Sequence, residues 1–240
     1  MNEEDYVKKI ADKFLTWGWS DDKKCQKFFN LTLPSRDYKF NIVSRKKNVK
    51  KKVLIIFHYF DKTLFRISSQ PNTNYERLKK IYSLSILSEK LQDDFDVTIR
   101  YRHKVEKNWD NTFDKSLFPK NLKFDDGSMP FKEIINLYDL IICDANSTTF
   151  LETCYYNIPS LLFIDKNVQK TRKSFNLFNK SFIKNNIIFF DYSKLINFLK
   201  KNKDLENWWY SKSIQILINK FCYKYINTIE NKYLEFKKLL

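Results

Sequence analysis

Across its middle the chain reads Tyr138-Asp139, Leu140-Ile141-Ile142-Cys143, Asp144-Ala145-Asn146-Ser147-Thr148-Thr149, Phe150-Leu151-Glu152-Thr153-Cys154-Tyr155-Tyr156-Asn157, Ile158-Pro159-Ser160-Leu161-Leu162-Phe163. An apolar strand, a small polar loop, a short helix and a second apolar strand follow one another without interruption. Continuous apolar runs of strand length suit a parallel sheet that is covered on both faces. In such a sheet, ligands sit outside the carboxyl ends of the strands. The helix that follows offers unpaired N–H groups and the positive end of its dipole to an anion. Ser147, Thr148 and Thr149 add three hydroxyls at that place. Glu152 stands one turn further on, where a carboxylate accepts from a hydroxyl pair such as a ribose. The bland alternative is a helix cap, because Thr149 and Glu152 have capping-box spacing. A cap uses one hydroxyl and leaves three in succession unexplained, so the segment reads as an anion-binding loop with Asn146 at its edge.

The alternation of strand and helix extends outward from this stretch. Val53-Leu54-Ile55-Ile56-Phe57 reads as a buried strand. Tyr75 to Leu91 reads as a helix with Leu78, Ile81, Tyr82, Ile86 and Leu91 on one face. Asp96 to Arg102 is a strand ending in two arginines, and a long loop with His103, Trp109 and Pro119 follows it. Asn121 to Phe124 is a short strand. Ser128 to Tyr138 is a helix, with Ser128 as N-cap and Pro130 early. Beyond the central stretch come a helix over Thr171 to Asn185, a strand over Ile187 to Phe190 and a helix over Tyr192 to Asn202. Five or six strands separated by helices predict an α/β fold: a doubly wound, Rossmann-like parallel sheet over residues 46–204. Residues 1–45 hold a helix and the segment Lys13 to Trp19, which reads as a strand ending at a turn. The basic run Arg45 to Lys52 reads as a linker. Residues 205–240 are expected to be helical throughout and to pack back on the body. With only Gly18 and Gly127 in the chain, the Gly-x-Gly-x-x-Gly fingerprint is absent.

The 240 residues suffice for one substantial core. No apolar run reaches the roughly 18 residues of a membrane span. Met1 to Asp5 lacks the basic region and apolar core of a signal peptide. Cys25, Cys143, Cys154 and Cys222 are scattered without metal-knuckle spacing and are expected as reduced thiols of a cytoplasmic protein, with no metal site. The net charge of +16 attracts anions. It also fits the Lys-, Asn-, Ile-, Phe- and Tyr-rich, glycine-poor usage of an AT-rich genome, and that reading is preferred. Charge and aromatics raise a rival: a basic nucleic-acid-binding protein. That class clusters its cations on one face, whereas here they are spread along the chain apart from Arg45 to Lys52, so no specific nucleic acid is expected. Peripheral contact with an anionic membrane is compatible with the charge.

Other candidates each carry two readings. Arg100 and Arg102 lie on one face of their strand and suit a diphosphate clamp; alternatively they are a solvated strand end. His58 and His103 are the candidates for a catalytic base, which is otherwise unassigned, and each is equally a loop or packing histidine. Arg66, Ser68 and Ser69 suit a substrate loop or a polar turn. Trp17, Trp19, Trp208 and Trp209 could stack on a base, but packing between the body and its terminal helices is preferred. Asp125 and Asp126 form a turn with Gly127.

Three stretches together resemble a family of transferases encoded in bacterial surface-carbohydrate loci. They are Ala11 to Trp19, Asp144 to Glu152, and Leu205 to Ser211 with Gln215 and Phe221 following. The central stretch also resembles, more loosely, the donor-site segment of GT-B glycosyltransferases. The resemblance implies a nucleotide-activated donor as substrate, no bound cofactor and no metal. It places Ser147, Thr148 and Thr149 on the diphosphate, Glu152 on the ribose, and Arg100 and Arg102 as auxiliary phosphate ligands. It implies a polysaccharide or lipid-linked acceptor. Members of the family are longer, so residues 1–45 are expected to be the last elements of an N-terminal domain plus the interdomain linker. The chain is then one part of a split enzyme whose N-terminal half is a separate chain, a part of a longer protein, or a truncated, non-catalytic remnant that binds a partner.

Overall fold

The structure, a computed structural model, describes residues 3–16, 23, 25–27, 50–57, 74–101, 115–164, 175–226 and 237. Helix α1 (Glu3–Ile10) leads into β1 (Phe14–Thr16), which pairs in parallel with β2 (Cys25–Lys27) as a small separate sheet. The strand expected over Lys13 to Trp19 is thus three residues long, and Trp17 and Trp19 lie outside the described residues.

The main sheet is built from β3 (Lys51–Phe57), β4 (Phe95–Tyr101), β5 (Lys123–Asp125), β6 (Leu140–Cys143), β7 (Ser160–Phe163) and β8 (Ile188–Phe189). Its order is β5-β4-β3-β6-β7-β8, and every neighbouring pair is parallel. Counted along the chain, this is the order 3-2-1-4-5-6 of a doubly wound dinucleotide-type sheet. The strand order reverses between β3 and β6, where Ile56 stands opposite both Arg100 and Cys143.

Both faces of the sheet are covered, which explains the continuous apolar runs. Val53, Ile55, Leu140, Ile142, Leu161 and Phe163 point into one core with α2 (Asn74–Leu91) and α6 (Tyr192–Lys201). Leu54, Ile141, Cys143, Leu162 and Ile188 point into the other with α4 (Thr148–Tyr155), α5 (Asn176–Lys184) and α8 (Lys212–Tyr225). Alternate residues of one strand therefore feed two cores, and each fully buried Leu or Ile contributes roughly 1.5–3 kcal/mol.

Three sequence expectations are corrected. Helix α2 buries Ile81, Leu84, Leu87 and Leu91, while Leu78 and Tyr82 face solvent. Apolar residues surround this helix, so their spacing alone does not set its phase. The helix expected from Ser128 instead begins with Pro130 at its cap: α3 (Phe131–Ile134) continues as a 3-10 turn over Ile135–Leu137. The amides of Gly127 and Ser128 donate to the carboxylates of Asp125 and Asp126, and Gly127 takes φ 77°, so this segment is a turn. The C-terminal region is not one helix. A short α7 (Leu205–Trp209), capped by the Asp204 carboxylate on the Asn207 amide, breaks at Tyr210 and Ser211 before α8.

Candidate functional site

Strand β6 ends at Cys143, immediately beside β3 at the point where the strand order reverses. The Asp144 amide donates to the Ile56 carbonyl at 3.3 Å, so the chain leaves the sheet against its neighbour. The Ser147 amide donates back to the Ala145 carbonyl at 3.0 Å, which makes the turn tight. Ser147 is the N-cap of α4 with an extended backbone, and its carbonyl accepts from the Phe150 and Leu151 amides. Its hydroxyl makes no capping bond. The capping-box alternative also fails on register, because the third helical position is Phe150 and not Glu152.

This leaves a set of donors at the crevice mouth. Among the described residues, nothing accepts from the Thr148 and Thr149 amides or bonds to the hydroxyls of Ser147, Thr148 and Thr149. Asn146 and Thr148 are exposed, and Ser147 and Thr149 are half-buried. Two amides without a partner among the described residues, three hydroxyls and the positive end of a helix dipole thus belong to three successive residues, an arrangement suited to a phosphate group. Phe150, Thr153 and Cys154 turn inward and anchor α4 in the core, where the Phe150 ring packs edge-on against Phe182.

Glu152 lies one turn into α4, half-buried. Burial pushes its carboxyl above the ordinary glutamate range. Among the described residues it has neither a hydrogen-bonded side chain nor a salt-bridge partner. A desolvated carboxylate of this kind gains by accepting from ligand hydroxyls. The Cys143 thiol is pushed well up, first by burial and then by the Asp144 and Glu152 charges, which disfavours the thiolate. Among the described residues no cluster of His, Cys, Asp and Glu is arranged to hold a metal.

Arg100 is placed differently from these groups. It lies on β4, two strands from β6, a separation of about 10 Å. Its Nη1 donates to the Asp125 carboxylate of β5 at 2.6 Å and its Nη2 to the Met129 carbonyl, both toward the sheet edge. The structure does not bring it to the hydroxyl loop. Arg102, His58, His103, Arg66, Ser68 and Ser69 lie outside the described residues.

One residue escaped the sequence reading. Lys80 of α2 is 9% exposed and places its ammonium 2.9 Å from the Asp144 carboxylate, itself 1% exposed, and over the Phe57 ring. No periodicity marks a lysine as buried; only its contacts with Phe57 at the end of β3 and Asp144 after β6 do.

The tryptophans near the C-terminus pack. Trp209 is fully buried and donates through Nε1 to the Asn157 carbonyl and side-chain oxygen. Trp208 donates to the Asn185 carbonyl. Asn157, with φ 55°, closes α4, and Gln215 of α8 holds its amide group from both ends.

The whole chain, residues 1–240, matches the LIC12162 family transferase, and the protein belongs to that family. No curated protein matches the sequence. Among solved structures, the wall teichoic acid polymerase TagF (H444N variant) aligns with a TM-score of 0.47 at 14% identity, over 96% of this chain and 57% of that one. The glycosyltransferase SnogD from Streptomyces nogalater gives 0.47 at 12% identity, over 87% and 46%. The glycotransferase of kitacinnamycin gives 0.49 at 11% identity, over 96% and 56%. The chain thus spans about half the length of these structures.

Proposed function

We propose that this chain, as a member of that transferase family, supplies the donor-binding part of a GT-B-type glycosyltransferase. It would help move a sugar or related group from a nucleotide-activated donor to a polysaccharide or lipid-linked acceptor. Ser147, Thr148 and Thr149 hold the diphosphate together with the first amides of α4. Glu152 accepts from the ribose hydroxyls. No bound cofactor is required, because the helix dipole and oriented donors stabilise the departing diphosphate. The acceptor side comes from a further domain or partner chain, and the work takes place at the inner face of the cell membrane, toward which a charge of +16 draws the protein.

The observation that carries this reading is the position of the hydroxyl loop. It sits where the strand order reverses, and the hydroxyls of Ser147, Thr148 and Thr149 and the amides of Thr148 and Thr149 have no partner among the described residues. Ligands of open α/β sheets bind at that crevice. Titration calorimetry with a panel of nucleoside diphosphates tests the reading. Binding by at least one of them is expected, and Glu152→Ala should weaken it more than it weakens pyrophosphate. A panel silent at millimolar concentration would sink the donor assignment. Equal losses for nucleotide and pyrophosphate would remove Glu152 from the ribose.

A further inference from the structure

The buried Lys80–Asp144 pair stands at the start of the loop that carries Ser147, Thr148 and Thr149. Lys80 belongs to the second turn of α2, the next described helix after β3 in the chain. Asp144 is the first residue after β6. Its amide is tied to β3 through Ile56, and its carboxylate is tied to α2 through Lys80. The next three residues, Ala145 to Ser147, form the tight turn into α4.

A buried ion pair is weak evidence for stability, since desolvating two charges offsets most of their attraction. Its better-attested use is to select one arrangement over others. Here the two charges join the elements on either side of the crevice: the helix on one face of the sheet and the loop that starts α4 on the other. An anion-binding loop must be held to within about half an ångström to be effective, and that falls to the groups behind it.

We propose that Lys80 is a positioning residue: by holding Asp144 it fixes the placement at which Ser147, Thr148 and Thr149 meet a diphosphate. This rests on the donor-loop reading above, and the test separates the two. The full chain is titrated by calorimetry with nucleoside diphosphates and with inorganic pyrophosphate, for the wild type, Lys80→Met, Lys80→Arg, Asp144→Asn and the double variant Lys80→Met/Asp144→Asn. Leu91→Ala, at the far end of α2, serves as a destabilised control. Backbone amide exchange is followed in the same proteins without ligand.

Lys80→Met and Asp144→Asn should each weaken pyrophosphate and nucleotide on the order of tenfold. The double variant should be no weaker than either, because both changes break one device. Lys80→Arg should recover most of the affinity, and Leu91→Ala should bind as the wild type. Exchange should quicken at the Asp144 and Ser147 amides, which are bonded to the Ile56 and Ala145 carbonyls, in Lys80→Met but not in Leu91→Ala. Wild-type affinity in Lys80→Met and Asp144→Asn overturns the proposal, and so do losses that multiply in the double variant. If the wild type binds no member of the panel, the donor reading fails, and the exchange data still decide: no loop-specific quickening in Lys80→Met removes the positioning role.

Discussion

Asn157→Ala tests how the body of the fold holds the site helix. Asn157 ends α4 in the left-handed region, at φ 55°. Its side chain makes three hydrogen bonds: Nδ2 donates to Gln215 at 2.9 Å, and Oδ1 accepts from Gln215 at 3.0 Å and from Trp209 at 2.9 Å. Each is worth about 1 kcal/mol. The partner donors keep other bonds: Trp209 retains the Asn157 carbonyl, and Gln215 Nε2 retains the Trp209 carbonyl, while Oε1 of half-exposed Gln215 loses its bond. Losing the side chain therefore costs about 2–3 kcal/mol, without the larger penalty of fully orphaned groups. Alanine adds about 1 kcal/mol for the left-handed backbone, which glycine does not. Asn157→Gly should lose about 2–3 kcal/mol and Asn157→Ala about 3–4 kcal/mol in urea unfolding. For a chain of this size that lowers Tm by roughly 5–15 °C. Glycine and alanine variants of equal stability would refute the backbone argument. Losses under about 0.5 kcal/mol in both would refute the hydrogen-bond argument.

Other expectations follow from the site. Ser147→Ala combined with Thr148→Val should weaken nucleotide and pyrophosphate by similar factors while moving stability by no more than about 0.5 kcal/mol, because these hydroxyls hold nothing in the fold; calorimetry and urea unfolding check both halves. For Glu152 the sign is set by a native carboxyl raised above its ordinary value of 4.5. The native state then binds the proton more tightly than the unfolded chain, so stability falls as pH rises through the window above 4.5. Glu152→Gln should thus be the more stable protein at neutral pH, and the difference should vanish below 4.5; a less stable variant at neutral pH would mean that the carboxylate has a favourable partner. Arg100→Ala should lose about 1–3 kcal/mol in the same unfolding assay, since it leaves the largely buried Asp125 carboxylate without its cation. An unchanged midpoint would show that the pair is solvated.

The sheet was legible because strands covered on both faces write themselves as unbroken apolar runs. Val53 to Phe57, Leu140 to Cys143 and Ser160 to Phe163 appear in the structure as strands, with helices between them. The hydroxyl loop was legible because three hydroxyls after a strand exceed what a cap requires. The phase of α2 was not, because Leu78 and Tyr82 are as apolar as Ile81 and Leu84, and only packing chooses between the two faces. Lys80 was hidden for the same reason. Arg100 misled in another way: alternation placed it on the ligand-side end of its strand, but the lateral reach of its guanidinium to Asp125 of β5 depends on which strand is the neighbour. The burial of Trp209 goes with a bond to Asn157, 52 residues away in the chain, which no local pattern carries.

The central claim is that the first amides of α4 hold a diphosphate. Titrating a nucleoside diphosphate into isotope-labelled protein and following backbone amide resonances tests it most directly. The Thr148 and Thr149 amides should show the largest shifts, in step with saturation, and pyrophosphate should move the same two. Saturable binding that leaves both amides unmoved would contradict the account.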